Sequence, residues 1–218
     1  MAGATGGRVR AVVFDVGQVL FDWDPAHLYG KLIPDPHERD WFLTHVVTRA
    51  WHFQHDAGRP FAQTSAELIA RFPDQRDRIL AYGERWLETI AGPVPGTHDL
   101  VHALAEAGVP LYAITNFSAE FWARFRPTAP LFDCFRDIVV SGVEGVAKPD
   151  PAIFRLARRR FGLECGEALF VDDQPANVAA AVTQGFLGHR FTSSAALARA
   201  LAALNLPLPV EATPAASA

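Results

Sequence analysis

Five strand-length apolar runs, at residues 10–16, 110–115, 137–141, 168–172 and, more weakly, 185–191, alternate with helix-like segments at 96–107, 119–125, 151–161, 175–184 and 194–204. No other feature of the chain narrows its fold as much. Strands that are apolar nearly throughout are buried on both faces, and the helices between them supply the crossovers a parallel sheet requires. Pro151 and Pro175 open two of the helical segments at the first-turn position, where a missing N–H costs little. The expected fold class is α/β, with a doubly wound parallel sheet.

Residues 22–92 break the alternation. They are rich in Trp, Phe and His, show helical apolar spacing at 65–72 and 76–90, and contain no convincing strand. The segment ends at Gly92-Pro93-Val94-Pro95-Gly96, a stiff Pro/Gly hinge. It reads as a helical insertion after the first strand, which divides the chain into a core of residues 8–21 and 93–205 and an inserted subdomain of 22–92. With 218 residues, half of them apolar, the chain can bury a core of that size. The Gly/Ala-rich residues 1–7 and the Pro/Ala-rich residues 206–218 are expected to be disordered tails.

Charge and cysteine usage exclude several functions. A net charge of −4, with scattered basic residues, gives no footprint for nucleic acid, and the Arg158-Arg159-Arg160 triplet reads as a solvated helix face. Cys134 and Cys165 lack metal-ligand spacing and suggest free thiols in a reducing cytoplasm. Neither a signal-peptide pattern nor a membrane-spanning apolar run is present in the sequence, so a cytoplasmic protein without membrane partners is expected.

The polar residues that end the apolar runs carry the chemistry. Asp15 follows the first run, Thr115-Asn116 ends the second, Lys148 lies in the loop after the third, and Asp172-Asp173 ends the fourth. Each alone can be an ordinary loop residue, and Asp15 can simply cap a turn made at Gly17. Together they bring a carboxylate, a hydroxyl, an ammonium and an acidic pair to the edge of an α/β sheet where ligands bind. That set suits phosphoryl transfer: carboxylates to hold Mg²⁺, the metal and Lys148 to neutralise a phosphate, and the Thr115 hydroxyl to fix a phosphate oxygen. Lys31 and Lys148 are the only lysines among 20 basic residues, which suggests that lysine is kept where a compact point charge is needed.

Four motifs in this order resemble those of the haloacid dehalogenase superfamily: Phe14-Asp15-Val16-Gly17-Gln18-Val19-Leu20, Ile114-Thr115-Asn116, Ala147-Lys148-Pro149-Asp150-Pro151 and Phe170-Val171-Asp172-Asp173-Gln174-Pro175-Ala176-Asn177. The resemblance spans about residues 9–203. It implies a Rossmann-like core with a helical cap at 22–92, and a phosphatase in which Asp15 is the nucleophile and forms an aspartyl-phosphate that water hydrolyses. It also implies Mg²⁺ held by Asp15, the Gly17 carbonyl and Asp173, with Asp172 assisting. Lys148 would bridge nucleophile and phosphate, Thr115 and the Asn116 backbone would bind phosphate oxygens, and Asn177 would support the site from the following helix.

At Gly17 the chain departs from most such phosphatases, which carry there a second Asp that protonates the leaving oxygen. The same motif resembles a branch that includes a bacterial α-glucose-1-phosphate phosphatase, so a small phosphorylated substrate such as a sugar phosphate is expected. Asp22 and Asp24 are candidate replacements for the acid, although both can cap helices. His52 and His55 share a helix face, but with no third ligand in view they, with Trp23, Trp41 and Arg59, are expected to pack the cap or shape the pocket wall. Two alternatives stay open: a metal-independent 2-haloacid dehalogenase, which the Asp172-Asp173 pair opposes, and a catalytically silent binding domain of the same fold. A response-regulator receiver is excluded, because its acidic pair comes first and its lysine last.

Overall fold

The computed structural model describes residues 9–208, so the expected N-terminal tail and most of the C-terminal one lie outside the described residues. Strand β1 (Ala11–Phe14) is buried along its whole length, and its side chains divide between two apolar clusters: Val12 and Phe14 enter one, Ala11 and Val13 the other. The period of two along a strand makes this division, and two covered faces require helices on both sides.

After β1 the chain forms β2 (Phe21–Trp23), then α1 (Pro25–Leu32), α2 (Pro36–His45), α3 (Arg49–Asp56), α4 (Phe61–Arg71) and α5 (Arg76–Glu84), and returns through β3 (Ile90–Pro93). The rest is α6 (Thr97–Glu106), β4 (Leu111–Thr115), α7 (Ala119–Phe125), β5 (Asp137–Val140), α8 (Ser141–Glu144), α9 (Pro151–Phe161), β6 (Ala168–Asp172), α10 (Pro175–Thr183), β7 (Leu187–Arg190) and α11 (Ser194–Ala203). Five strands pair in parallel in the order β5-β4-β1-β6-β7. The expected α/β class and doubly wound sheet are therefore observed. One face packs on α6 and α11 through Leu100, Leu104, Leu197 and Leu201, the other on α9 and α10 through Ile153, Phe154 and Ala181.

Local chemistry sets the helix ends. In α9, Asp150 accepts from the Ala152 N–H, Pro151 occupies the first turn, and Gly162 closes the helix at φ 63°. Asp24 and Pro25 open α1 in the same way.

Two expectations need correction. The stretch read as lacking strands begins and ends in one: β2 and β3 pair antiparallel, Phe21 opposite Pro93 and Asp22 opposite Gly92, where the chain leaves and rejoins the core. Strands of three and four residues, one of them Gly/Pro-rich, give too short an alternation to register in sequence. Leu206, expected to open the tail, is instead buried, and its N–H bonds the Leu201 carbonyl. Among the described residues no helix is long and apolar enough to cross a membrane.

Candidate active site

Asp15 stands one residue beyond β1, its N–H still bonded to Val171 O at 2.8 Å, so the β1–β6 ladder fixes its backbone. Its Oδ1 accepts from the Val16 N–H at 2.7 Å. The turn that follows is taken at Gln18, which adopts φ 58°, and not at Gly17 as the sequence suggested. Glycine is not demanded at 17 by space either, since a Cβ built there meets nothing within 4 Å.

Lys148 is buried, and its Nζ lies 2.7 Å from Asp15 Oδ1 and 2.7 Å from Asp172 Oδ2. Burial works to lower its pKa, but the Asp15 and Asp172 carboxylates outweigh that and leave it raised. Asp15 moves up as well, chiefly by burial and further by Asp172, against the pull of Lys148. Both shifts have one origin: a single ammonium shared by two buried carboxylates keeps its proton, yet cannot stabilise both anions. Asp173, half-buried, is raised by burial and by Asp172, and its Oδ2 accepts from Gln174 Nε2 at 2.5 Å. Asp15, Asp172 and Asp173 each offer an oxygen within 4.8 Å of the others.

Around this cluster the remaining predicted residues take defined places. Thr115 ends β4, buried, in register with Val140. Asn177, in the first turn of α10, donates Nδ2 to both Asp172 oxygens at 3.0 Å. The Gln174 N–H adds a 2.8 Å bond to Asp172 Oδ1, so that carboxylate is held from three sides. Sequence reasoning assigned Asn116 through its backbone and missed its side chain. Its Oδ1 accepts from the Lys148 N–H at 2.8 Å and its Nδ2 donates to Lys148 O at 2.9 Å, clamping the loop that delivers the ammonium.

Residues 9–185 match the haloacid dehalogenase-like hydrolase family. The chain is a haloacid dehalogenase-like hydrolase. It is 26% identical over 198 residues to a sesquiterpene phosphatase of Aspergillus oryzae, covering 86% of this chain and 92% of that one. It is also 43% identical over 203 residues to acyl-CoA dehydrogenase family member 10 of Mus musculus, covering 83% of this chain but only 18% of that much longer protein. Among solved structures, a haloacid dehalogenase family enzyme of Bacteroides thetaiotaomicron in complex with magnesium and inorganic phosphate is 19% identical, with a TM-score of 0.62 over 85% of this chain and 95% of that one. An L-2-haloacid dehalogenase of Xanthobacter autotrophicus, 21% identical, gives 0.61 over 91% and 84%. The fold is thus common to phosphate and carbon–halogen chemistry, and the site has to decide between them.

In the hydrolase, Asp22 and Asp24, the two carboxylates the sequence offered as acids, both have other partners. Asp24 caps α1 by accepting from Ala26 N–H, and Asp22 sits beside Gln18 and His27. A cavity of about 110 Å³ lies next to the loop after Asp15, lined by Val16, Gly17 and Asn116 from the core and by Trp23, His52 and Asp56 from the inserted side. Trp41 is exposed on α2, and Arg59 pairs with Glu67 at the surface, so neither shapes this wall. His52 and His55 do not act together: His55 bonds Thr64 Oγ1 at 2.6 Å, while His52 pairs with Asp56. The sequence signal for that pair is its i,i+4 spacing on α3. A larger apolar hollow of about 670 Å³, beyond Phe21, Ile90 and Phe125, is lined by none of the predicted site residues.

Proposed function

We propose that this hydrolase is a magnesium-assisted phosphomonoesterase of small phosphorylated molecules, with Asp15 as nucleophile. The observation that carries the reading is the charge balance of the site: three carboxylates within reach of one another and a single buried ammonium among them. Hard oxygen donors with surplus negative charge suit Mg²⁺, held by Asp15, Asp173 and the Gly17 carbonyl with Asp172 assisting. When bound, the cation supplies charge neutralisation to the phosphate oxygens.

Asp15 attacks phosphorus, the bond to the leaving oxygen breaks, and water then hydrolyses the aspartyl-phosphate. Lys148 stays charged between Asp15 and Asp172 and meets the incoming phosphate as a fixed cation. Thr115 and the Asn116 N–H hold phosphate oxygens, Asn177 keeps Asp172 in its orientation, and residues 22–92 act as a cap that shuts out bulk water. The same carboxylates disfavour dehalogenation, because three of them outnumber the one buried ammonium and, with no metal bound, repel the carboxylate of a 2-haloacid. Similarity to a phosphatase over most of the chain supports an ester substrate, and a sugar phosphate in the cytoplasm is the proposed setting.

The test is hydrolysis of an aryl phosphate and a panel of sugar phosphates, with Mg²⁺ and with chelator, for the wild type and Asp15→Asn. Turnover that needs the metal and falls to background in the variant is expected. Turnover surviving chelation or Asp15→Asn, or halide release from a 2-haloacid with no ester cleavage, would remove the proposal.

A further inference from the structure

A phosphatase with glycine at position 17 has no proton donor for its leaving group at that position, and the cavity that Gly17 lines is also lined by a carboxylate. Asp56, 5% exposed, ends α3 against this space. Its Oδ1 has no hydrogen-bond partner among the described residues, whereas Oδ2 lies 3.2 Å from His52 Nε2. Trp23, Phe117 and Ile90 line the same cavity, and a buried carboxylate oxygen left without a donor there calls for a role.

The ionisable groups packed on Asp56 are arranged as a relay. Tyr82 on α5 places its hydroxyl 2.6 Å from His52 Nδ1. Nε2 faces a carboxylate oxygen, which accepts, so the neutral imidazole carries its proton there and Nδ1 accepts from the Tyr82 hydroxyl. The Trp23 ring lies tilted against His52, centroids 4.4 Å apart, and His55 faces Thr64 Oγ1. The end of α3 is also tied to the core: Ser141 Oγ donates to Asp56 O at 2.6 Å and accepts from Phe117 N–H at 2.9 Å, next to the Asn116 backbone.

We infer that Asp56, positioned by His52, is the acid–base residue of this active site; the inference rests on the phosphatase reading above. In the first step Asp15 bonds to phosphorus as the bond to the leaving oxygen breaks, and the Asp56 proton passes to that oxygen. In the second, water bonds to phosphorus, the Asp15 linkage breaks, and the water's proton returns to Asp56. His52 Nε2–H stabilises the carboxylate that exists between the two steps.

The experiment is single-turnover release of alcohol from a primary alkyl phosphate and from 4-nitrophenyl phosphate, with Mg²⁺, for the wild type, Asp56→Asn and His52→Gln. A poor leaving group needs the proton and a good one does not, so Asp56→Asn should lose about 10²-fold or more on the alkyl ester and less than about tenfold in nitrophenol release. His52→Gln should show the same pattern at smaller amplitude, and it carries the test if Asp56→Asn does not fold. Because position 17 has open space, Gly17→Asp in the Asp56→Asn background should regain at least about tenfold on the alkyl ester. Equal losses on the two esters would overturn the assignment alone. A wild type inactive on both would overturn the phosphatase reading and the assignment with it.

Discussion

Lys148 has two carboxylate partners at 2.7 Å and almost no exposure, and its replacement therefore affects more than one charge. Lys148→Met leaves Asp15 and Asp172 facing each other without a cation, and should lower kcat about 10²–10³-fold, as loss of a preorganised electrostatic donor does. Lys148→Arg should not restore it, because a planar guanidinium does not fit a space shaped for a point charge between two oxygens. Steady-state kinetics of both variants at saturating Mg²⁺ decide this, and wild-type kcat in Lys148→Arg would contradict it. The neighbouring carboxamides act on the same residue pair at one remove, Asn116 by clamping the Lys148 backbone and Asn177 by fixing Asp172.

At the level of elements, the junction between α3 and the loop after β4 is narrow and polar. A single hydroxyl, that of Ser141 at the start of α8, joins the Asp56 carbonyl to the Phe117 N–H. Gly142 makes the approach possible: a Cβ there would stand 2.6 Å from Ala119 N and 2.7 Å from Phe117 O. Ser141→Ala strands a buried donor and a buried acceptor and should cost about 1–3 kcal/mol, read as a lower urea midpoint with an unchanged slope. An unchanged midpoint would show that water or a small shift satisfies both groups.

Across the molecule, the inserted helices and the sheet share one apolar cluster, in which Trp86 stacks on Phe121 of α7 at 5.0 Å and Tyr29, Phe42 and Tyr82 continue the packing outward. Arg124 of α7 also donates to the carbonyls of Gly83 and Glu84. Global stability should therefore report on a group buried in the insertion. His55 has its pKa lowered to about 4, first by burial and then by His52. The unfolded imidazole titrates near 6.5, so the unfolded state takes up a proton that the native state refuses between those values. Stability from this source is complete above about pH 6.5 and is lost as the pH falls toward 4, amounting to about 2–3 kcal/mol at pH 4.5. Urea unfolding at pH 7.5 and 4.5 should show that much more acid sensitivity in the wild type than in His55→Gln; equal sensitivity would place the acid response elsewhere.

What the sequence determined by itself is the sheet and the residues at its edge. Apolar runs report two-sided burial directly, and a strand that ends in Asp, Thr or Asp-Asp must deliver those groups to one side when all strands are parallel, so Asp15, Thr115 and Asp172 were legible before any contact was known. Only the tertiary structure decided the rest, because it depends on directions that periodicity does not encode. The turn falls at Gln18 rather than Gly17, Asn116 works through its side chain, and the short β2–β3 pair carries too few residues to show a period. The pairing of His52 with Asp56, and their arrival in the cavity that Gly17 lines, required the fold of α3 over the core, where burial removes water from polar groups and makes their few remaining partners specific.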